Sequence, residues 1–130
     1  MLDSLFTYQI DKQEDGLLEA SVTINADHEI FTGHFPGYPI MPGVCMVQII
    51  EQIFGDFHKK KFLLSNAKSI KFLSLFNPTE VRRIKASIKY KQGENNQMQI
   101  SASLFADETT YFKLKGQLRD RESDTGNTKV

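Results

Sequence analysis

The sequence predicts an α+β domain in which one antiparallel sheet of about six strands wraps around a single long central helix. Three observations carry that prediction. The run from Val44 to Phe54 is apolar at nearly every angular position of a helix, and a helix apolar all round has to be buried. On both sides of it, apolar and polar residues alternate at period two, the pattern of strands that bury one face. Short turn-forming segments separate most of these stretches, so neighbours in sequence are expected to pair in the sheet.

Taken in order, Phe6, Tyr8 and Ile10 alternate, residues 11–16 read as a turn ending in Gly16, and Leu18, Ala20, Val22 and Ile24 alternate again. Together they predict a hairpin. Residues 25–41 form a long connection without a period, and such segments inside compact domains tend to be functional. The helix follows from Gly43 to His58, roughly 16 residues and about 24 Å, too short and too polar in its middle for a membrane span. His58, Lys59, Lys60 and Lys61 stand where the helix dipole favours cations. The strand period returns at Ser69, with Ile70 and Phe72 on one face, and breaks at Asn77-Pro78. Ile84 to Tyr90, Met98 to Ala106 and Phe112 to Leu118 complete a meander. Residues 119–130, with one apolar residue in twelve, are expected to be a flexible tail beyond a domain of residues 1–118. A single sheet face cannot cover a helix apolar all round, so the uncovered side predicts a second subunit, and a homodimer is expected.

At 130 residues the chain is long enough for one domain with a real core. Lys plus Arg and Asp plus Glu both number 16, so net charge implies no general attraction to nucleic acid or anionic lipid, and neither nucleic acid nor membrane is an expected partner. One cysteine excludes an internal disulfide and fits a reducing compartment. Residues 1–8 show no signal-peptide pattern. A cytoplasmic protein is the expectation.

The stretch from Thr32 to Phe54 contains three of the chain's four prolines and runs directly into the apolar helix. Dense glycine and proline make a shaped loop. The helix behind it carries Gln48, Glu51 and Gln52 in its interior, and buried polar groups without partners cost roughly 1–3 kcal/mol each. Gln48 and Gln52 share a face, while Glu51 points about 60° away from Gln48. Water, a subunit contact or a polar pocket shared with His34 would satisfy them.

The run Gly33-His34-Phe35-Pro36-Gly37-Tyr38-Pro39-Ile40-Met41-Pro42-Gly43-Val44 resembles the active-site signature of the 3-hydroxyacyl-[acyl-carrier-protein] dehydratases of the FabZ/FabA type, which have the hot-dog fold. The order of strands and helix agrees from Phe6 to Leu118. The resemblance implies dehydration of a 3-hydroxyacyl thioester to a trans-2-enoyl thioester, in fatty-acid or polyene/polyketide-type synthesis, on substrates borne by acyl carrier protein and without a cofactor. It implies that His34 exchanges a proton at the substrate α-carbon and that the N–H groups of Gly43 and Val44 hold the thioester carbonyl. Phe35, Tyr38 and Met41 are then expected along the acyl tunnel, though Tyr38 and Met41 would also serve as packing. The family has a carboxylate five residues after the last glycine, and here that position is Gln48. Gln52 agrees with the family pattern, so the register is not slipped.

A carboxamide has no proton to exchange near neutral pH, and general acid–base help is typically worth 10² to 10⁴ in rate. Three readings stay open: His34 performs both proton transfers while Gln48 orients the leaving group, Glu51 substitutes for the missing acid, or the site binds acyl thioesters without dehydrating them. A partner-dependent subunit and a thioesterase are the rival functions. Outside this stretch, His28 reads as a surface loop residue and His58 as a helix-end charge partner; within it, Cys45 reads as core. Three histidines and one cysteine without ligand spacing predict no metal site. Lys59, Lys60, Lys61, Lys68, Lys71, Arg82 and Arg83 would either receive an acidic carrier protein or simply be solvated.

Overall fold

The structure, a computed structural model, describes residues 4–33 and 40–121. Its elements are β1 (Phe6–Glu14), β2 (Leu17–Ile24), a short α1 (Ile30–Gly33), the long α2 (Gly43–His58), β3 (Phe62–Phe72), β4 (Arg83–Gln92), β5 (Gln97–Ala106) and β6 (Thr109–Asp120). All strands join one antiparallel sheet in the order β1-β2-β4-β5-β6-β3. The expected hairpin, central helix and meander are all present. β6 runs to Asp120, so the sheet takes in the first two residues assigned to the tail.

Alternation explains the core. Leu18, Ala20 and Val22 of β2, Ile84, Ala86 and Ile88 of β4, and Ala102 and Leu104 of β5 turn inward, where they join Cys45, Met46, Ile49, Ile50, Ile53 and Phe54 of α2 in one cluster. The opposite side of α2 is not covered within the single chain, as expected for one sheet face, but it is more polar than a helix apolar all round would be. Val44, Gln52 and Asp56 are exposed and Val47, Gln48 and Glu51 half-buried. One sheet wraps only part of a cylinder, and the open stripe is where the polar residues of the helix gather.

The helix ends are set locally. Pro42 precedes α2 in an extended conformation with no side-chain cap. At the other end Lys59 takes the left-handed conformation, φ 58°, and donates its N–H to Asp56 O at 3.2 Å while Lys60 N–H reaches Gly55 O at 3.0 Å, which satisfies carbonyls that a helix end leaves free.

β3 enters as an edge strand and is irregular: its register against β6 shifts between Leu64 and Asn66 and again between Ala67 and Ser69. Gly116 of β6 stands beneath this bulge. A side chain there would overlap the Asn66 carbonyl oxygen and lie 3.1 Å from Ala67 Cα, so the glycine lets the bulge close onto the sheet.

Candidate active site

The uncapped start of α2 is the natural centre of the site. The first N–H groups of a helix have no partner within it and carry the positive end of its dipole. Cys45 N–H returns to Pro42 O at 3.0 Å, whereas the N–H groups of Gly43 and Val44 donate to no described residue. Val44 is 59% exposed, so its surroundings are open. Over Gly43 stands the ring of Phe72, from the end of β3: a Cβ at position 43 would come within 2.6 Å of Phe72 Cζ. Phe72 is 58% exposed and rests on its cross-strand partner Phe112, with ring centroids 5.4 Å apart. This contact joins residues about thirty positions apart and so leaves no local pattern in the chain.

Further along the helix, the three polar side chains Gln48, Glu51 and Gln52 have three different fates. Gln52 is exposed and needs only water. Glu51 accepts the Leu64 N–H of β3 on Oε2 at 2.8 Å, and burial pushes its pKa up while that N–H pulls it the other way. Gln48 Oε1 is buried and has no hydrogen-bond partner among the described residues. An acceptor in that condition is either a cost the fold carries or a group waiting for a donor.

Met41 is buried at 3% exposure within the core cluster, its N–H bonded to Phe76 O at 3.0 Å, so in the single chain it packs. His34, Phe35 and Tyr38 lie outside the described residues. Of the residues expected at the site, Gly43, Val44, Gln48 and Glu51 are thus the ones described along the uncovered side of α2, and Phe72 stands over Gly43.

The remaining candidates are structural. His28 is not a surface residue: it is 9% exposed, and its Nδ1 accepts the Ile30 N–H at 3.0 Å where α1 begins. His58 puts Nδ1 at 2.9 Å from Phe54 O and packs its ring against Phe54, Phe57, Phe62 and Tyr90. Cys45 is fully buried and its thiol pKa is raised by that burial, which suits a core residue and not a nucleophile. Among the described residues no group of three or more His, Cys, Asp or Glu is placed to hold a metal ion.

A six-stranded antiparallel sheet wrapped around one long helix defines a hot-dog protein. The chain belongs to the ApeI-like family: the model described as ApeI dehydratase matches residues 9–113. Among curated relatives, the 3-hydroxyacyl-[acyl-carrier-protein] dehydratase FabZ of Bacillus pumilus is 42% identical over 55 residues, covering 42% of this chain and 35% of the relative. FabZ of Clostridium acetobutylicum is 38% identical over 80 residues, covering 56% and 55%. The chain thus matches about a third and a little over half of these two relatives' length. Among solved structures, the dehydratase heterocomplex ApeI:P from Xenorhabdus doucetiae superposes with a TM-score of 0.64 at 17% identity, over 87% of this chain and 94% of the other. At that identity the likeness establishes the fold.

Proposed function

We propose that this protein dehydrates, or reversibly hydrates, an acyl thioester carried on acyl carrier protein, as a homodimer. His34 takes the proton from the α-carbon of a 3-hydroxyacyl thioester, and negative charge grows on the thioester carbonyl, which the N–H groups of Gly43 and Val44 hold at the helix start. The hydroxyl leaves with the proton His34 has collected, giving water and the trans-2-enoyl thioester. Gln48 accepts a hydrogen bond from that hydroxyl and fixes its direction. Phe35, Tyr38 and Phe72 line the way in.

The observation that carries this reading is the buried, unpartnered Oε1 of Gln48, one turn inside the helix that starts at Gly43. It lacks a donor among the described residues, and a substrate hydroxyl is one. Glu51, by contrast, already holds Leu64, which speaks for a strut between helix and edge strand over a replacement acid. For the dimer, the support is the exposure of Val44, Leu63, Ile70, Phe72, Leu73 and Leu75 around edge strand β3 and the helix start. Exposed apolar edge strands are surfaces that pair.

The test is hydration of a short trans-2-enoyl thioester on acyl carrier protein, followed by loss of the enoyl ultraviolet band, with wild type and His34→Ala side by side. Turnover that disappears in the variant supports the reading; equal rates in the two refute it. One observation favours a second reading: the similar Xenorhabdus doucetiae dehydratase was solved as a heterocomplex. This chain would then act with a homologue that supplies the missing carboxylate. A purified chain that is a stable homodimer and turns over alone excludes it.

A further inference from the structure

The net charge of zero conceals a one-sided distribution. On the face of the sheet turned away from α2, Lys89, Ser101, Lys115 and Ser69 lie side by side across β4, β5, β6 and β3, and the next row is Ser87, Ser103, Lys113 and Lys71. Lys68, at the bulge of β3, borders one shallow depression with Lys71, Lys113 and Lys115, and Lys89 borders the next with Lys113 and Lys115. All five lysines are exposed. The ion pairs among the described residues are formed by other lysines, Lys12, Lys60 and Lys85. β3, β4 and β5 contain no carboxylate and β6 only Asp120 at its end; on the same face Glu19 of β2 stands beside Ser87, at the margin away from β6 and β3, and faces Lys12 of β1 on its other side.

A solvated face needs polar groups, but not one sign of charge. Here Lys71 stands directly opposite Lys113 on the adjacent strand, and like charges in that relation destabilise a sheet. Glu94, in the turn before β5, is separated from Ser101 by the strand residues 97–101, about 13 Å of extended chain. That exceeds the Debye length of about 8 Å at physiological salt, so the turn acid does not neutralise the centre of the face.

We propose that this lysine face docks flat on an anionic lipid bilayer, an inference that does not depend on the reaction assigned to the site. The composition of the face selects the partner. Cores of protein–protein interfaces are rich in aromatic residues, Met and Arg and poor in Lys and Ser, whereas this centre is Lys and Ser. Single-stranded nucleic acid asks for a platform of aromatic rings, and the aromatic residue bordering these two depressions is Phe105 alone. A bilayer of anionic phospholipid offers a continuous negative potential and requires no matching shape. Each lysine near such a surface strengthens binding about fivefold.

The full chain would be sedimented with vesicles of phosphatidylcholine alone and of phosphatidylcholine mixed with phosphatidylglycerol, at about 0.05 M and about 0.3 M salt, where screening differs strongly. Binding is expected only to the anionic vesicles and is expected to weaken with salt. Lys113→Gln with Lys115→Gln should weaken it about thirtyfold at an unchanged melting temperature. Lys59→Gln with Lys60→Gln, which removes the same charge at the C-terminal end of α2, should leave it unchanged. Absence of phosphatidylglycerol-dependent binding, or an equal loss in the control pair, overturns the proposal. So does a protein that ignores vesicles but binds purified acyl carrier protein through Lys113 and Lys115, because the face would then belong to an acidic protein.

Discussion

Replacing Gln48 by methionine separates a residue kept for the fold from one kept for the substrate. Methionine has similar length and helix propensity, so the main change is removal of the buried, unpartnered Oε1. A buried acceptor without a donor costs about 1–3 kcal/mol, and Gln48→Met should therefore be more stable than wild type by about 1–2 kcal/mol. For a domain of this size that raises the melting temperature by about 3–5 °C per kcal/mol, read by circular dichroism at one fixed protein concentration. The same change removes a neutral hydrogen bond to the leaving hydroxyl, worth about 0.5–1.5 kcal/mol, so kcat/KM for hydration should fall about two- to tenfold. Higher stability with lower activity is the expected pair of results. A variant that melts lower and turns over at the wild-type rate would refute the reasoning, because it would mean that Gln48 is satisfied within the assembled protein and serves the fold.

Glu51→Gln should keep the Leu64 N–H bonded through the amide oxygen, leaving hydration within a few-fold of wild type. Burial raises the Glu51 pKa above 4.5, so the native state holds its proton to higher pH than the unfolded chain, and this contribution is fully present at low pH and lost as pH rises through the raised value. Wild type should accordingly gain on the variant as pH is lowered, and parallel stability–pH curves would contradict the assignment. Gly43→Ala should move the Phe72 ring, the far end of a flexible side chain, and change fold stability by less than about 1 kcal/mol, since alanine's better helix propensity offsets the displacement. Its methyl group would intrude where the thioester carbonyl is held, so kcat/KM should drop by at least about tenfold; unchanged kinetics would place the carbonyl elsewhere.

The helix was readable from Pro42-Gly43 to His58 because a helix start at proline and glycine and a basic end are local chemistry, fixed by neighbours in sequence. β2, β4, β5 and β6 were readable because each buries one face and so keeps a strict alternation. β3 was visible only from Ser69 onward. Its two register shifts, at Leu64/Asn66 and Ala67/Ser69, break the period of two, and as an edge strand beside an uncovered helix face it exposes Leu63, Ile70 and Phe72 where a one-sided strand would alternate. The four residues of α1 are too few to show a helical period, and the burial of His28 follows from that short turn. For the site, the positions of Gln48, Glu51 and Gln52 around the axis were legible, but not what each meets. Leu64 comes from the half of β3 that no local pattern announces, and Phe72 from the visible half, whose place beside the helix start no local pattern tells, so the anchoring of Glu51 and the cover over Gly43 emerge only in three dimensions.

The fit between Gly116 and the Asn66 carbonyl ties together two positions fifty residues apart. Only a residue without a side chain leaves room for the bulge, and only the bulge makes such a residue worth keeping in a strand. Substitution at 116 alone would push β3 outward; deletion in the bulge alone would leave a gap over the glycine. Neither change is easily tolerated first, so the two should be inherited as a pair: homologues with a regular third strand should carry an ordinary β-forming residue at the position of Gly116, and homologues with the insertion should carry glycine. Divergence in this part of the fold would then proceed by paired exchange, with intermediates that fold poorly standing between the two forms.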